Sequence, residues 1–156
     1  MGIKEVKSYF KSVGMADKVL EFEISSATVT LAAQALNTEP KRIAKTLSFA
    51  YHDSALLIVT AGDSKIDNAK FKQQFGLKAR MLSLEEAVSF TGHPVGGVCP
   101  FALQQPLTVA LDISLKRFET VFPACGSANS AIELTPSELQ KHAHTTFWVD
   151  VCKDWI

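Results

Sequence analysis

Cysteine is scarce in this chain and thinly spread. Cys99, Cys125 and Cys152 are odd in number and never form a C-x-x-C pair. That argues against a disulfide framework and a thiolate metal site, and the expected compartment is a reducing one, the cytoplasm. Excess charge is also missing: sixteen Lys and Arg balance sixteen Asp and Glu, so no molecule-wide field attracts a polyanion or a membrane surface. No apolar run approaches the roughly 18 residues that would cross a bilayer. The start, MGIKEVKSYF, is charged from residue 4 and lacks the apolar centre of a signal peptide. Neither G-x-x-x-x-G-K-[ST] nor G-x-G-x-x-G occurs, which leaves nucleotide cofactors without support. There is no nucleophile elbow, no cysteine-protease signature, no repeat, no linker and no low-complexity segment.

What is present fits one compact domain over residues 1–156, since 47% hydrophobic and 21% charged residues suffice for a substantial core. Charge is uneven along the chain. Residues 41–80 carry eight basic and three acidic residues, whereas 81–156 carry four and eight, so one face can be positive.

The patterning predicts a short amphipathic helix over 4–13, with Val6, Phe10 and Val13 at helical spacing and Gly14 as its stop. VLEFEIS alternates like a strand. Ser25 or Ser26 is the expected cap of the helix TVTLAAQALN, which ends at Asn37. IAKTLSFA and ALLIVTAG, separated by the polar YHDS, read as two antiparallel central strands. A helix follows from Asp67, its cap, to Phe75, with Gly76 beyond it, and then a short strand over 78–82. Ser83 and Glu86 form a capping box for a helix over 84–90. LTVALDIS, ETVFPA, AIEL and the closing TTFWVDV are strand-like, and Thr135, Pro136 and Glu138 start a helix of about seven residues. Strands dominate and helices interrupt them irregularly. The expected class is therefore α+β, with a mixed, mostly antiparallel sheet and peripheral helices.

Two stretches depart from regular structure. TGHPVGGVCPF, residues 91–101, holds Gly92, Pro94, Gly96, Gly97 and Pro100 within ten positions, which makes a shaped loop whose main chain can approach a ligand closely. ACGSANSA, residues 124–131, is a second tight loop, a simple turn or a source of donors to the same pocket. Lys45 stands inside an apolar strand, where a charge needs either water at the sheet edge or an anionic or carbonyl partner. A fixed cation opposite exposed amides can bind and polarise an ester or phosphate. Cys99 and His93 share a loop, with Asp112 nearby in sequence, but no signature marks them as nucleophile and base. His142 and His144 have no evident third ligand, so no metal is expected.

Three separated segments, AKTLSF, AGDSKID and TGHPVGGVCPF, followed by ACGSANSAIELTPSEL, together resemble the YbaK-like aminoacyl-tRNA deacylases. These are related to the editing domain inserted in bacterial prolyl-tRNA synthetases. The similarity covers residues 20–151, and free-standing members of the group fit best. The resemblance implies a barrel-like form of the sheet and hydrolysis of the ester joining a wrong, small amino acid to a tRNA, most often a proline tRNA. Prolyl-tRNA synthetase is the associated partner, and neither metal nor cofactor is required. It assigns Lys45 as the essential lysine and Gly96 to Pro100 as the G-x-x-x-P loop, with Gly96 and Gly97 in the catalytic cradle. Thr28, Leu31, Thr46, Phe49, His93, Val98, Cys99, Pro100 and Phe101 are the expected substrate contacts, joined by Gly126, Ser127 and Asn129 of the later loop. Lys65, Lys70, Lys72, Lys78 and Arg80 are expected to meet acceptor-stem phosphates. A non-catalytic binding module of the same fold is the alternative.

Overall fold

The computed structural model describes residues 2–155. Helix α1 spans Ile3–Ser12 and buries Val6 and Phe10. Strand β1 covers only Val19–Glu21, so the extended run expected through Ser25 stops early. Helix α2, Val29–Leu36, is capped by Thr28, whose Oγ1 accepts from the Leu31 N–H at 3.1 Å. This corrects the expectation of Ser25 or Ser26, because both serine hydroxyls are turned to the Ala128 carbonyl instead. Asn37 ends the helix in the left-handed region, φ 53°.

Strands β2, Ile43–Tyr51, and β3, Ser54–Ala61, form the central antiparallel hairpin, paired from Ala44↔Ala61 to Tyr51↔Ser54. The two-residue turn needs a positive φ, and His52 supplies it at 56°. Strand β4 is Lys65–Ile66, and α3, Asn68–Phe75, is capped by Asp67 through the N–H groups of Ala69 and Lys70. Helix α4, Leu84–Thr91, carries the Ser83–Glu86 capping box. Strand β5, Thr108–Asp112, leads into a 3₁₀ turn at Ile113–Arg117. Strands β6, Phe122–Pro123, and β7, Ser130–Ile132, precede α5, Pro136–His142, with its Thr135–Glu138 box. Strands β8, Trp148–Val149, and β9, Cys152–Lys153, end the described chain.

The main sheet has the order β6-β2-β3-β5-β8, mixed because β2 and β3 are antiparallel while β6, β5 and β8 join in parallel. Two ribbons, β1–β7 and β4–β9, are antiparallel. Paired main-chain bonds between Val121 and Leu134, at 2.8 and 3.0 Å, link the first ribbon to the β6 edge. The α+β architecture is thus assembled from one five-stranded sheet and two two-stranded ribbons. The strand expected at 78–82 is reduced to a single bridge, Phe49↔Met81.

β3 is buried on both faces, which is why it reads as an uninterrupted apolar run. Leu57 and Val59 face one core with Phe10, Leu111 and Ile132; Leu56 and Ile58 face another with Phe49, Phe71 and Val151. At the end of β5 the buried carboxylate of Asp112 accepts from the N–H groups of Ser114 and Val151, both at 2.9 Å. It ties the parallel strands to the segment between β8 and β9.

Candidate active site

A cavity of about 300 Å³ opens beside β2 and is lined on one side by residues 43–48 and on another by Gly96 and Val98. Thr28 and Val29 at the start of α2, then Met81, Leu82 and Leu84, and Phe122, Ala124, Ser130 and Ala131 also line it. Lys45 and the glycine loop therefore border one space. That volume is at the lower end of the roughly 300–1,000 Å³ typical of ligand sites.

The Lys45 amine has a defined seat. Its Nζ donates to the Ser64 carbonyl at 2.5 Å and lies 3.5 Å from the Gly62 carbonyl. Burial holds its pKa below the ordinary lysine value, against the opposing pull of Cys152 and Asp63. The turn bearing those carbonyls is braced from several directions. The Ser64 hydroxyl donates to the Ala61 carbonyl at 2.7 Å, and the Ala61 N–H donates to the Ser114 hydroxyl at 3.1 Å. Asp63 accepts from the two terminal nitrogens of Arg117 at 2.6 and 3.0 Å, and that guanidinium holds the Asp63 carboxyl below the usual range. Gly62 admits no side chain, since a Cβ would stand 2.0 Å from the Pro40 carbonyl oxygen.

The two glycine loops meet backbone to backbone. A Cβ on Gly97 would lie 2.4 Å from the Ser127 nitrogen, which explains why only glycine fits there. Gly97 is buried against Gly126 and Ser127, and its N–H is taken by the Pro94 carbonyl at 3.0 Å. Gly96 instead reaches the cavity at φ 84°. The hydroxyl of Ser127 bonds Ser130 and Asn129, and the Asn129 amide donates to the Phe22 carbonyl at 2.8 Å. These side chains hold the second loop in shape; none of Gly126, Ser127 and Asn129 lines the cavity.

The remaining expected contacts divide. Thr28, Thr46 and Val98 line the cavity, with Thr28 also capping α2. Leu31 is 37% exposed and outside the wall. Phe49 and Phe101 require correction: Phe49 is packed on Phe71 with ring centroids 5.0 Å apart, and Phe101 on Phe10 at 5.1 Å, both inside the core. Pro100, His93 and Cys99 are buried behind the loop, outside the wall. His93 Nε2 lies 2.7 Å from the Phe101 carbonyl and 3.5 Å from Cys99 Sγ. A carbonyl only accepts, so Nε2 carries the proton and cannot take one from the thiol. Burial also pushes the Cys99 thiol up to about 12 and holds His93 below its ordinary value. The pair is not a nucleophile and base. Among the described residues no group of three metal-binding side chains converges.

Of the basic residues, Lys65, Lys72, Lys78 and Arg80 are exposed, whereas Lys70 is bound to Asp150 at 3.0 Å and to the Cys152 carbonyl at 3.2 Å. Sequence reasoning missed Ala124 and Phe122, brought in by a two-residue parallel strand, and the Ala61–Ser64 turn as the seat of the lysine amine. The AGD of AGDSKID was the available signal for the latter.

With this geometry established, relatives identify the class. Residues 25–142 match the aminoacyl-tRNA editing domain family, and the chain belongs to that family, in its YbaK-like group. It is 56% identical over 156 residues to the uncharacterized protein YwhH of Bacillus subtilis (strain 168), covering 99% of each chain. The fold matches the crystal structure of a candidate trans-editing enzyme for prolyl tRNA synthetase with a TM-score of 0.86 and 29% identity, over 97% of this chain and 96% of that one. A 93-residue stretch is 27% identical to the proline–tRNA ligase of Ligilactobacillus salivarius (strain UCC118), covering 59% of this chain and 16% of the ligase. No helix among the described residues is long and apolar enough to cross a membrane.

Proposed function

We propose that the protein is a trans-acting aminoacyl-tRNA deacylase that hydrolyses the ester of a small amino acid wrongly attached to a proline tRNA, in the cytoplasm and alongside prolyl-tRNA synthetase. The observation that carries this reading is the shared cavity of Lys45 and the Gly96–Val98 loop. Its small volume suits the aminoacyl end of a tRNA and offers selection by size.

An aminoacyl ester is already activated, so positioned water and charge-stabilising donors can suffice without a nucleophilic side chain. Lys45 anchors the substrate through its carbonyl or its terminal phosphate. Gly96 and Val98 line the cavity, and their N–H groups have no protein partner among the described residues, so the oxyanion-stabilising role falls to them and not to Gly97. Water adds to the carbonyl carbon, the bond to the ribose oxygen breaks, and the released hydroxyl takes the proton. One preorganised donor of this kind is worth about 3 kcal/mol. The exposed Lys65, Lys72, Lys78 and Arg80 supply phosphate contacts of modest, salt-sensitive strength.

The test is release of free amino acid from alanyl, cysteinyl, seryl and threonyl esters of proline tRNA by the wild-type protein and by Lys45→Ala. Hydrolysis of at least one ester, lost in the variant, supports the enzyme. Equal rates, or none with any substrate, favour a binding module.

A further inference from the structure

The cavity opens on the edge of β2, not on a face of the sheet. Six consecutive residues, 43 to 48, line it, and residues from both faces of a pleat can border one space only along the strand's edge. Alternate residues of a strand direct both main-chain groups to the same side. On the side away from β3, Ser48 accepts from the Leu82 N–H at 3.0 Å and the Ala50 N–H donates to the Arg80 carbonyl at 2.8 Å. By the same alternation Thr46 and Ala44 also turn their main-chain groups outward. Ala44 is paired with β6, opposite Pro123. Thr46 lies between the two pairings, and neither its N–H nor its C=O has an outward partner among the described residues. The notch is one residue pair wide.

An antiparallel pair of the hydrogen-bonded kind exchanges two bonds between the same two residues. An α-aminoacyl ester has both complementary groups, an ammonium donor and a carbonyl acceptor separated by one carbon. We propose that the main chain of Thr46 binds the aminoacyl unit as a one-residue strand added to β2: the α-ammonium donates to the Thr46 carbonyl, and the ester carbonyl accepts from the Thr46 N–H. This rests on the deacylase reading and deepens it. The Thr46 N–H then joins Gly96 and Val98 as a donor to the oxyanion, and the substrate must carry an unacylated donor on its α carbon, best as an ammonium. An N-acylated or peptidyl ester would need a second strand position, which β6 fills at one end of the notch and Met81–Leu82 at the other.

The experiment compares the wild-type protein on proline tRNA esterified with alanine, N-acetylalanine or lactate. Loss of the charge predicts kcat/KM lower by roughly fivefold for lactate, whose hydroxyl still donates, and the same loss together with the filled second strand position predicts roughly 10- to 100-fold for N-acetylalanine. Equal rates for alanine and N-acetylalanine would overturn the assignment to Thr46 while leaving hydrolysis established. If no ester is hydrolysed, the deacylase reading itself fails. The edge is then decided by titrating the non-hydrolysable 3′-alanylamino-3′-deoxyadenosine and following amide protons by NMR. A shifted and exchange-protected Thr46 amide supports the pairing; an unmoved one overturns it.

Discussion

The loop over residues 92–101 has two sides with opposite characters. Toward the cavity stand Gly96 and Val98, chemically bland residues. Behind them stand His93 and Cys99, the reactive types, sealed in apolar surroundings with His93 1% and Cys99 0% exposed. The imidazole is committed to the Phe101 carbonyl, and the thiol is kept protonated. Reactivity in isolation is therefore a poor guide to which side meets a ligand. Gly96 and Val98 line the cavity, and the conspicuous side chains lie buried behind them.

Several changes break or sharpen that contrast. The largest effect is expected at Lys45, which lines the same cavity: Lys45→Ala lowers deacylation about 100-fold or more, measured as amino acid released in single-turnover assays. Next comes the join between the loops. Gly97→Ala drives a Cβ into the backbone of Gly126 and Ser127, so thermal unfolding should reveal a loss of about 1–3 kcal/mol together with reduced turnover. Gly76→Ala is the control, because nothing lies within 4 Å of its Cβ, and only the left-handed backbone costs about 1 kcal/mol.

Behind the loop the expectations concern stability. Cys99→Ala keeps turnover within about twofold while losing about 1 kcal/mol to a small void, read by urea denaturation. Burial lowers the folded-state pKa of both His93 and His142, so the unfolded chain binds these protons first. Their contribution is intact above the unfolded value near 6.5 and is lost as pH falls through the folded values. The urea midpoint should accordingly drop from pH 7.5 to pH 5, and His93→Gln should flatten that fall. The smallest effect is at the surface: Lys72→Ala lowers the salt slope of tRNA binding by about one, and Lys70→Ala by less, since Asp150 already holds that ammonium.

How much of this was legible follows from the range of each interaction. Caps and tight turns are local, so both capping boxes, the Asp67 cap and the β2–β3 hairpin could be read from neighbouring residues. Thr28 was passed over as a cap because three of the four positions 25–28 carry suitable hydroxyls, and only contact with Ala128 separates their roles. The parallel pairings of β5, β6 and β8 join segments distant in sequence and are two to four residues long, so no periodicity announces them. At the site, the glycines and Lys45 stood out because each is locally costly. Phe49 and Phe101 were misplaced for a physical reason: an aromatic ring reads the same in a pocket wall and in a core, and packing against Phe71 or Phe10 decides between them. The one-residue gap beside Thr46 was invisible, being a property of strands that end early.

The resting position of the Lys45 amine has a consequence for selection. Its two carbonyl hosts are neutral, dipolar and fixed by the braced turn. An incoming molecule captures the cation only by offering an oxygen that outcompetes them, as an anionic phosphate or a carbonyl acquiring charge does. If the proposed role of Lys45 holds, weak acceptors leave the amine docked, and the turn then acts as a threshold that separates mere occupancy of the cavity from engagement of its charge.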